Sequence, residues 1–209
     1  MVESKPKTQK SLKPPQKLPK RPTPERLANI ALHHLDRYAS SAENLRRVLE
    51  RRLFKAARHY EDLDLTEAKG WIDAIILRYV DSGLLNDRAY AETRARSLLT
   101  RGGSTHKIRM KLLEKGLKTD AIDLALEALE LEHADPELAA AVTLARRRRL
   151  GPYADPAKRA ETQDKHLATL ARAGFSYDLA RRVIEADSPE ELEELLAPEP
   201  FTPSTTQKA

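Results

Sequence analysis

The amino-acid sequence predicts an all-α protein, an elongated array of three tandem three-helix units. Proline is absent from Glu25 to Asp135, a span rich in Ala and Leu, and one proline inside a helix costs about 3 kcal/mol. Glycines at 83, 116 and 174 each follow a helical pattern. This position suits a helix cap in which the residue after the helix adopts the left-handed conformation. Apolar residues recur at helical spacing and no segment alternates as a strand does; one such stripe comprises Ile72, Ile75, Ile76 and Tyr79.

The helix starts are predicted from side chains that can accept a hydrogen bond from the first-turn amides. In chain order these candidate caps are Ser40 or Ser41, Asp64 with Glu67 three residues later, Asn86 or Asp87, Ser104, Thr119 or Asp120, Ser176, and Ser188 before Pro189. Together they indicate nine or ten short helices. Because each helix is short, it must bury its apolar stripe against its neighbours.

A helix–cap–helix pattern occurs three times when the caps are aligned. It predicts units near 25–83, 84–132 and 135–187 within one helical repeat domain that spans 24–187. Each unit is too small for a large core. An elongated chain of small bundles is therefore expected rather than a single globule.

The two ends of the chain differ from its middle. Residues 1–23 form a basic, proline-rich segment that is expected to be disordered, and 188–209 are expected to hold a short acidic helix and a disordered tail. The net charge of residues 1–22 is +6 and that of 88–118 is +7, whereas 185–199 contain seven acids and no base. Such uneven charge indicates charged partners.

Composition excludes several classes of protein. Cysteine is absent, which excludes disulfides, thiolate catalysis and cysteine-ligated zinc. No apolar run approaches the roughly 18 residues of a membrane-spanning helix, and the N-terminus lacks the apolar core of a secretory signal. We therefore expect a cytoplasmic protein that does not bind membranes. A monomer is expected because no apolar stripe stands out as unburied.

No catalytic, cofactor-binding or metal-binding residues are expected. The stretch "TRGGSTHK", residues 100–107, resembles a phosphate-binding loop, but its glycine and lysine spacing is wrong and a helix precedes it rather than a strand. A turn followed by a helix cap explains it better. His33 and His34 are adjacent on a helix and cannot chelate one ion together, and His34 lies on an apolar stripe. The acidic pairs near the C-terminus fit a solvated surface.

Basic residues on two consecutive predicted helices and their turn are the candidate partner-binding set. The alternative is an ordinary solvated face, but few acids balance these charges, and arginine runs recur at 46–52 and 146–149. The four arginines at 146–149 are expected at a helix C-terminus, where they suit the helix dipole. The candidate set comprises Arg94, Arg96, Arg101, Lys107, Arg109, Lys111 and Lys115.

The succession of short motifs over about 25–186 resembles the RecX family, bacterial regulators of the recombinase RecA. The matching residues are Ala31-Leu32, Ser41, Leu45 and Leu49; then Gly83-Leu84-Leu85-Asn86-Asp87, Tyr90-Ala91, Gly103, Ile108, Leu112 and Lys115-Gly116-Leu117; then Arg172, Gly174-Phe175-Ser176 and Val183-Ile184. The resemblance implies a non-enzymatic protein of tandem three-helix units. It would dock in the groove of the RecA filament on single-stranded DNA and limit extension, ATP hydrolysis, strand exchange and the cleavage of SOS repressors.

Two rival functions remain open from the residues. The first is a DNA-binding transcriptional regulator, in which the basic helix at 105–115 would enter a groove as in a helix-turn-helix protein. The second is a structural adaptor that uses its helical surface for another protein and its basic tail for membranes or RNA. Weak direct DNA binding is compatible with the RecX-like function as well.

Overall fold

The computed structural model describes residues 18–197, and this part of the chain contains ten α-helices, two short 3-10 turns and no strand. The helices are α1 (Pro24–Arg37), α2 (Ala42–Ala57), α3 (Leu65–Asp81), α4 (Asp87–Leu99), α5 (Thr105–Glu114), α6 (Thr119–Glu132), α7 (Pro136–Arg148), α8 (Arg159–Arg172), α9 (Tyr177–Glu185) and α10 (Pro189–Leu196). The 3-10 turns are Gly151–Tyr153 and Pro156–Lys158. The all-α prediction is confirmed.

Most predicted caps start the helices that they were assigned to. Of the two open choices in the first half, Ser41 caps α2 and Asn86 caps α4 through their side-chain oxygens. The prediction was wrong at α6, where Thr119 is already the first helical residue and Lys118 occupies the cap position without a side-chain bond. The acid Asp120 then lies inside the first turn, where its charge favours the helix dipole.

The buried side chains form two clusters. The first belongs to α1, α2 and α3 and is built around Leu27, Leu45 and Leu49. The second is continuous from α4 to α10, so the middle and last predicted units share one core. The sequence suggested a small core for each unit. Helix α7 joins two of them because its alanines leave room for close neighbours, and it contacts both α4 and α9.

The same pair of hydrogen bonds joins consecutive units at two places. At the first junction the Ser41 hydroxyl donates to the carbonyl of Lys115, and the amide of Ala42 donates to Asp87 at 2.8 Å. These two hydrogen bonds connect the start of α2 to the end of α5 and to the start of α4.

At the second junction the Ser104 hydroxyl donates to the carbonyl of Ala173 at 2.7 Å, and the amide of Thr105 donates to Glu137 at 2.8 Å. These bonds connect the start of α5 to α8 and α7. The second helix of one unit is therefore fixed to the first and second helices of the next unit by the same chemistry at both places.

Replacing Ser104 with alanine should lower the free energy of unfolding by about 1–3 kcal/mol. Ser104 is fully buried, it accepts from the Lys107 amide as a helix cap, and its loss also leaves the Ala173 carbonyl unpaired. Denaturant unfolding measures the change. The control is Ser176→Ala, which removes only a cap from an exposed position and should cost less. Equal losses in the two variants would contradict a structural role for the junction bond.

Part of the predicted N-terminal tail lies against the first unit. The Tyr60 hydroxyl donates to the Pro19 carbonyl at 3.0 Å, and Arg21 forms an ion pair with Asp62 at 2.9 Å. Residues 1–17 and 198–209, on which the rest of the predicted disorder falls, lie outside the described residues. Over 18–197 no helix combines the length and the apolar character needed to cross a membrane.

Candidate functional site

A cationic cavity of about 330 Å³ lies where the turn between α4 and α5 meets α7 and α8. We call it the junction cavity, because it lies at the second inter-unit junction. Among the described residues, no acid lines it. The six cations that line it are Arg101, Lys107, Lys111, Arg147, Arg148 and Arg172.

Two glycines form one wall of the cavity, and Gly102 brings the α4–α5 turn against α7. Gly102 has a φ of +76°, which favours glycine, and a Cβ built there would lie 2.8 Å from the Leu144 nitrogen. A Cβ on Gly103 would lie 2.9 Å from the Leu98 carbonyl oxygen. The predicted turn and helix cap at "TRGGSTHK" are confirmed, since Ser104 caps α5. Gly102 also permits close contact with α7 of the next unit, which the sequence did not reveal, whereas Gly103 permits a close turn against Leu98 of α4.

The charges of the junction cavity are not balanced within the described chain. Over 18–197, none of the six cations forms an ion pair with a carboxylate. Five of the six side chains are exposed and that of Lys111 is half-buried. Clustered like charges repel one another and raise the local positive potential. This arrangement attracts an anion such as a phosphate or a carboxylate.

Three of the seven predicted partner-binding residues line this cavity, namely Arg101, Lys107 and Lys111. All three belong to the middle unit, on the α4–α5 turn and on α5. The remaining three cations of the cavity belong to the last unit. The arginine run at 146–149 is visible in the sequence, but its spacing does not indicate that it shares a cavity with α5, and no sequence pattern marks Arg172 as a binding residue.

Two other predicted residues are already paired within the chain. Arg96 on α4 binds both carboxylate oxygens of Glu132 on α6, with separations of 2.7 to 2.9 Å. These hydrogen bonds hold the pKa of the Glu132 carboxyl below its usual value. Arg109 on α5 pairs with Asp123 on α6 at 2.6 Å. Both arginines therefore connect helices of the middle unit.

The last two predicted residues lie near the first junction. Arg94 lines a groove of about 630 Å³ between α1 and α4, together with Tyr38 and Tyr90. Lys115 follows α5, and its backbone carbonyl accepts the bond from Ser41. The seven predicted residues thus do not form one surface.

The arginine run ends α7, as expected, with Arg149 in the left-handed conformation at a φ of +56°. Arg146 faces away from the junction cavity and pairs with Glu193 of the acidic helix α10 at 2.7 Å. Leu192 anchors α10 in the second core because its side chain is fully buried. The acidic helix α10 therefore contacts the basic C-terminal end of α7 in the same chain.

Two histidines, His34 and His166, are half-buried single side chains, whereas His33, His59, His106 and His133 are exposed. The His34 ring contacts the Tyr38 ring in a tilted arrangement, with ring centroids 5.4 Å apart. Burial, assisted by the charge of Arg51, lowers the pKa of His34. His166 accepts a hydrogen bond from the amide of Gly151, and burial lowers its pKa too. Over the described residues no three His, Asp or Glu side chains converge as metal ligands would.

The fold and the junction cavity define a helical-repeat protein with a cationic surface between repeats. Comparison with known proteins is consistent with this class. The model of the RecX second three-helix domain matches residues 86–126. Regulatory protein RecX of Myxococcus xanthus (strain DK1622) is 40% identical over 172 residues, which cover 82% of this chain and 90% of that protein. The chain belongs to the RecX family.

Further relatives agree with this assignment. Regulatory protein RecX of Agrobacterium fabrum (strain C58) is 30% identical over 173 residues, which cover 83% of this chain and 89% of that protein. The crystal structure of RecX from Lactobacillus salivarius has the same fold, with a TM-score of 0.53 at 24% identity, and the match covers 82% of this chain and 97% of that one. The relatives are named as regulatory proteins, which indicates a regulatory role for this chain.

Proposed function

We propose that this chain binds the RecA filament on single-stranded DNA and modulates it, mainly by inhibition, without catalysing a reaction itself. Filament extension, ATP hydrolysis, strand exchange and SOS coprotease activity would all be limited. The observation that carries the proposal is the junction cavity of this RecX-family chain, where two units share six cations that form no ion pair with a carboxylate of residues 18–197. We place its action in the cytoplasm, as a monomer.

The cavity suits a partner that carries phosphates or clustered carboxylates. In the proposed complex these anions would come from the phosphates of the bound DNA or from acidic side chains in the wall of the filament groove. Each exposed ion pair contributes little by itself, about 0–1 kcal/mol. Several pairs on neighbouring protomers add together, because the first contact raises the effective concentration of the others.

The repeated junction bonds support this mode of binding. Ser41 and Ser104 fix each unit to the next through equivalent contacts. A chain of units held in this way presents its cationic surfaces at set distances. We propose the division into units at 25–83, 84–132 and 135–187 on the same grounds, with each unit contributing surface to the filament.

Among the seven candidate residues the geometry favours Arg101, Lys107 and Lys111 for the filament contact. We add the three cations that the last unit contributes to the same cavity. Arg94 and Lys115 remain proposed contacts at the first junction. Arg96 and Arg109 are better explained as residues that position α6, since their charges are already paired.

A helix-turn-helix regulator is less well supported. In such a protein the basic face of α5 would have to enter a DNA groove. Here Lys107 and Lys111 of that face line a cavity that Arg147 and Arg172 of the last unit also border. The neighbouring helices restrict the approach of a duplex along α5.

The test is the DNA-dependent ATPase of cognate RecA on preformed filaments. Addition of this protein at substoichiometric amounts should cause a progressive fall in ATP hydrolysis, because each bound chain affects several protomers. The protein must be shown to be helical by circular dichroism in the same buffer. Unchanged hydrolysis with folded protein would contradict the proposed function.

A further inference from the structure

The repeat places a cavity at each of the two inter-unit junctions. The groove of about 630 Å³ between α1 and α4 lies at the first junction, because its lining includes the chain neighbours of Ser41 and Asp87. We call it the first-junction groove. Its lining residues are spaced from Ser41 and Asp87 as those of the junction cavity are spaced from Ser104 and Glu137. The equivalent pairs are Leu35 and Leu98, Tyr38 and Arg101, Arg94 and Leu144, and Ser97 and Arg147.

The two cavities share a place in the repeat but differ in chemistry. Tyr38 stands where Arg101 lines the junction cavity, and Ser97 stands where Arg147 does. Apolar and aromatic side chains form much of the first-junction groove, namely Leu35, Tyr38, Ala39, Leu84, Ala89 and Tyr90. The second junction therefore attracts an anion, whereas the first offers a surface for an apolar group.

The apolar part of the first-junction groove is open to a partner. The side chains of Tyr38 and Leu84 are 61% and 49% exposed. The ring of Tyr38 is held beside the ring of His34, with centroids 5.4 Å apart. Exposed aromatic and aliphatic side chains gathered in a concave surface are typical of sites that bind another protein.

Two arginines border this apolar part, Arg37 at the end of α1 and Arg94 on α4. No acid among the described residues lines the groove, and over 18–197 neither arginine forms an ion pair with a carboxylate. The carboxylate of Asp87, at the start of α4, accepts from the Ala42 amide at 2.8 Å instead. A partner that places a carboxylate beside an apolar side chain would complement both parts of the groove.

We propose that the first-junction groove binds a protein segment in which an apolar or aromatic side chain adjoins a carboxylate, and that a protomer of the RecA filament presents this segment. The identity of the partner rests on the proposed function, whereas the chemistry of the groove does not. The apolar side chain packs against Tyr38 and Leu84, and the carboxylate pairs with Arg37 or Arg94. The chain thus contacts the filament through one apolar and one cationic cavity.

A protein segment fits the first-junction groove better than a nucleic-acid base does. Stacking of a base requires an accessible aromatic face. The Tyr38 ring already contacts the His34 ring, and Tyr90 is half-buried. The other apolar lining residues are leucines and alanines, which offer no stacking surface.

The experiment measures binding of the full chain to preformed RecA filaments by co-sedimentation at two salt concentrations. The variant is Tyr38→Ala with Leu84→Ala. Its affinity should fall about tenfold or more, as it does when buried interface anchors are truncated. No charge is removed, so the salt dependence of binding should stay that of the parent protein. This readout separates the groove from the junction cavity, since loss of cations there flattens the salt dependence.

The matched control is Leu77→Ala with Leu131→Ala, which truncates leucines that are 62% and 90% exposed and lie outside the groove. The control should retain the affinity of the parent, and circular dichroism must show that both variants are helical. An equal loss in both variants, or no loss in the groove variant, would overturn the groove proposal alone. Failure of the parent protein to bind the filament would contradict the proposed function as well.

A photo-crosslinker identifies what occupies the groove. The parent chain with p-benzoylphenylalanine in place of Tyr38 is bound to the filament and irradiated. The crosslink should form with RecA, in a peptide where Asp or Glu adjoins an apolar residue. Crosslinking mainly to the DNA or to a second copy of this chain would overturn the proposal.

Discussion

Replacing Arg101, Lys107 and Lys111 together with glutamine should raise the concentration needed for half-inhibition of the RecA ATPase by about tenfold to a hundredfold. The estimate assumes roughly 0.5–1 kcal/mol for each lost contact with an anion. The salt dependence of inhibition should become flatter, because fewer counterions are released on binding. Titrations of the variant and the parent protein at two salt concentrations measure both effects.

A second variant tests whether the junction cavity acts as a unit. Replacing Arg147, Arg148 and Arg172 with glutamine alters only the last unit, yet it should produce a loss of similar size. If the protein instead inserted α5 into a DNA groove, these three changes would affect its binding far less. A loss of inhibition confined to the Arg101, Lys107 and Lys111 variant would therefore contradict the proposal that the whole cavity binds the filament.

Two controls keep the interpretation specific. Lys118→Gln, Lys165→Gln and Arg182→Gln together remove the same charge from exposed positions outside the cavity, and inhibition should be retained. Arg96→Gln with Arg109→Gln removes charges that are already paired, and the effect on inhibition should be smaller than that of the cavity variant. Full inhibition by the Arg101, Lys107 and Lys111 variant would refute the assignment of these residues to the filament contact.

Local features of the fold could be predicted from the sequence. Proline placement, helical stripes and caps such as Ser104 and Ser176 depend on residues within one or two turns, and those features are present in the structure. The failure at Thr119 is of the same local kind. Two adjacent residues could each cap a helix there, but the cap position falls on Lys118, one residue before Thr119 and two before Asp120.

The composition of the candidate site depends on contacts that a sequence pattern does not contain. The charge of 88–118 drew attention to α4 and α5, but the pattern could not show that Arg96 faces Glu132, 36 residues later. Nor could it show that Arg147 and Lys107 line the same cavity. Periodicity tells which face of a helix is buried and gives no information on which distant helix covers it.

Replacing Gly102 with alanine should lower the free energy of unfolding by about 2–5 kcal/mol. The φ of +76° alone costs an alanine roughly 1–2 kcal/mol. The new Cβ would also lie 2.8 Å from the Leu144 nitrogen and 3.0 Å from the Ala140 oxygen. Both are backbone atoms of α7, which cannot rotate away as a side chain can. Denaturant unfolding followed by circular dichroism measures the loss.

Gly70→Ala is the matched control for this change. Gly70 lies inside α3, and a Cβ there has no neighbour within 4 Å, so alanine should raise the free energy of unfolding by about 0.5–1 kcal/mol. The Gly102 variant should also inhibit the RecA ATPase less well, because Arg101 and Arg147 lie on opposite sides of the displaced contact. Normal stability of Gly102→Ala would contradict the close contact between α7 and the turn. Lower stability of Gly102→Ala with full inhibition would show that binding to the filament does not depend on the arrangement of the α4–α5 turn and α7.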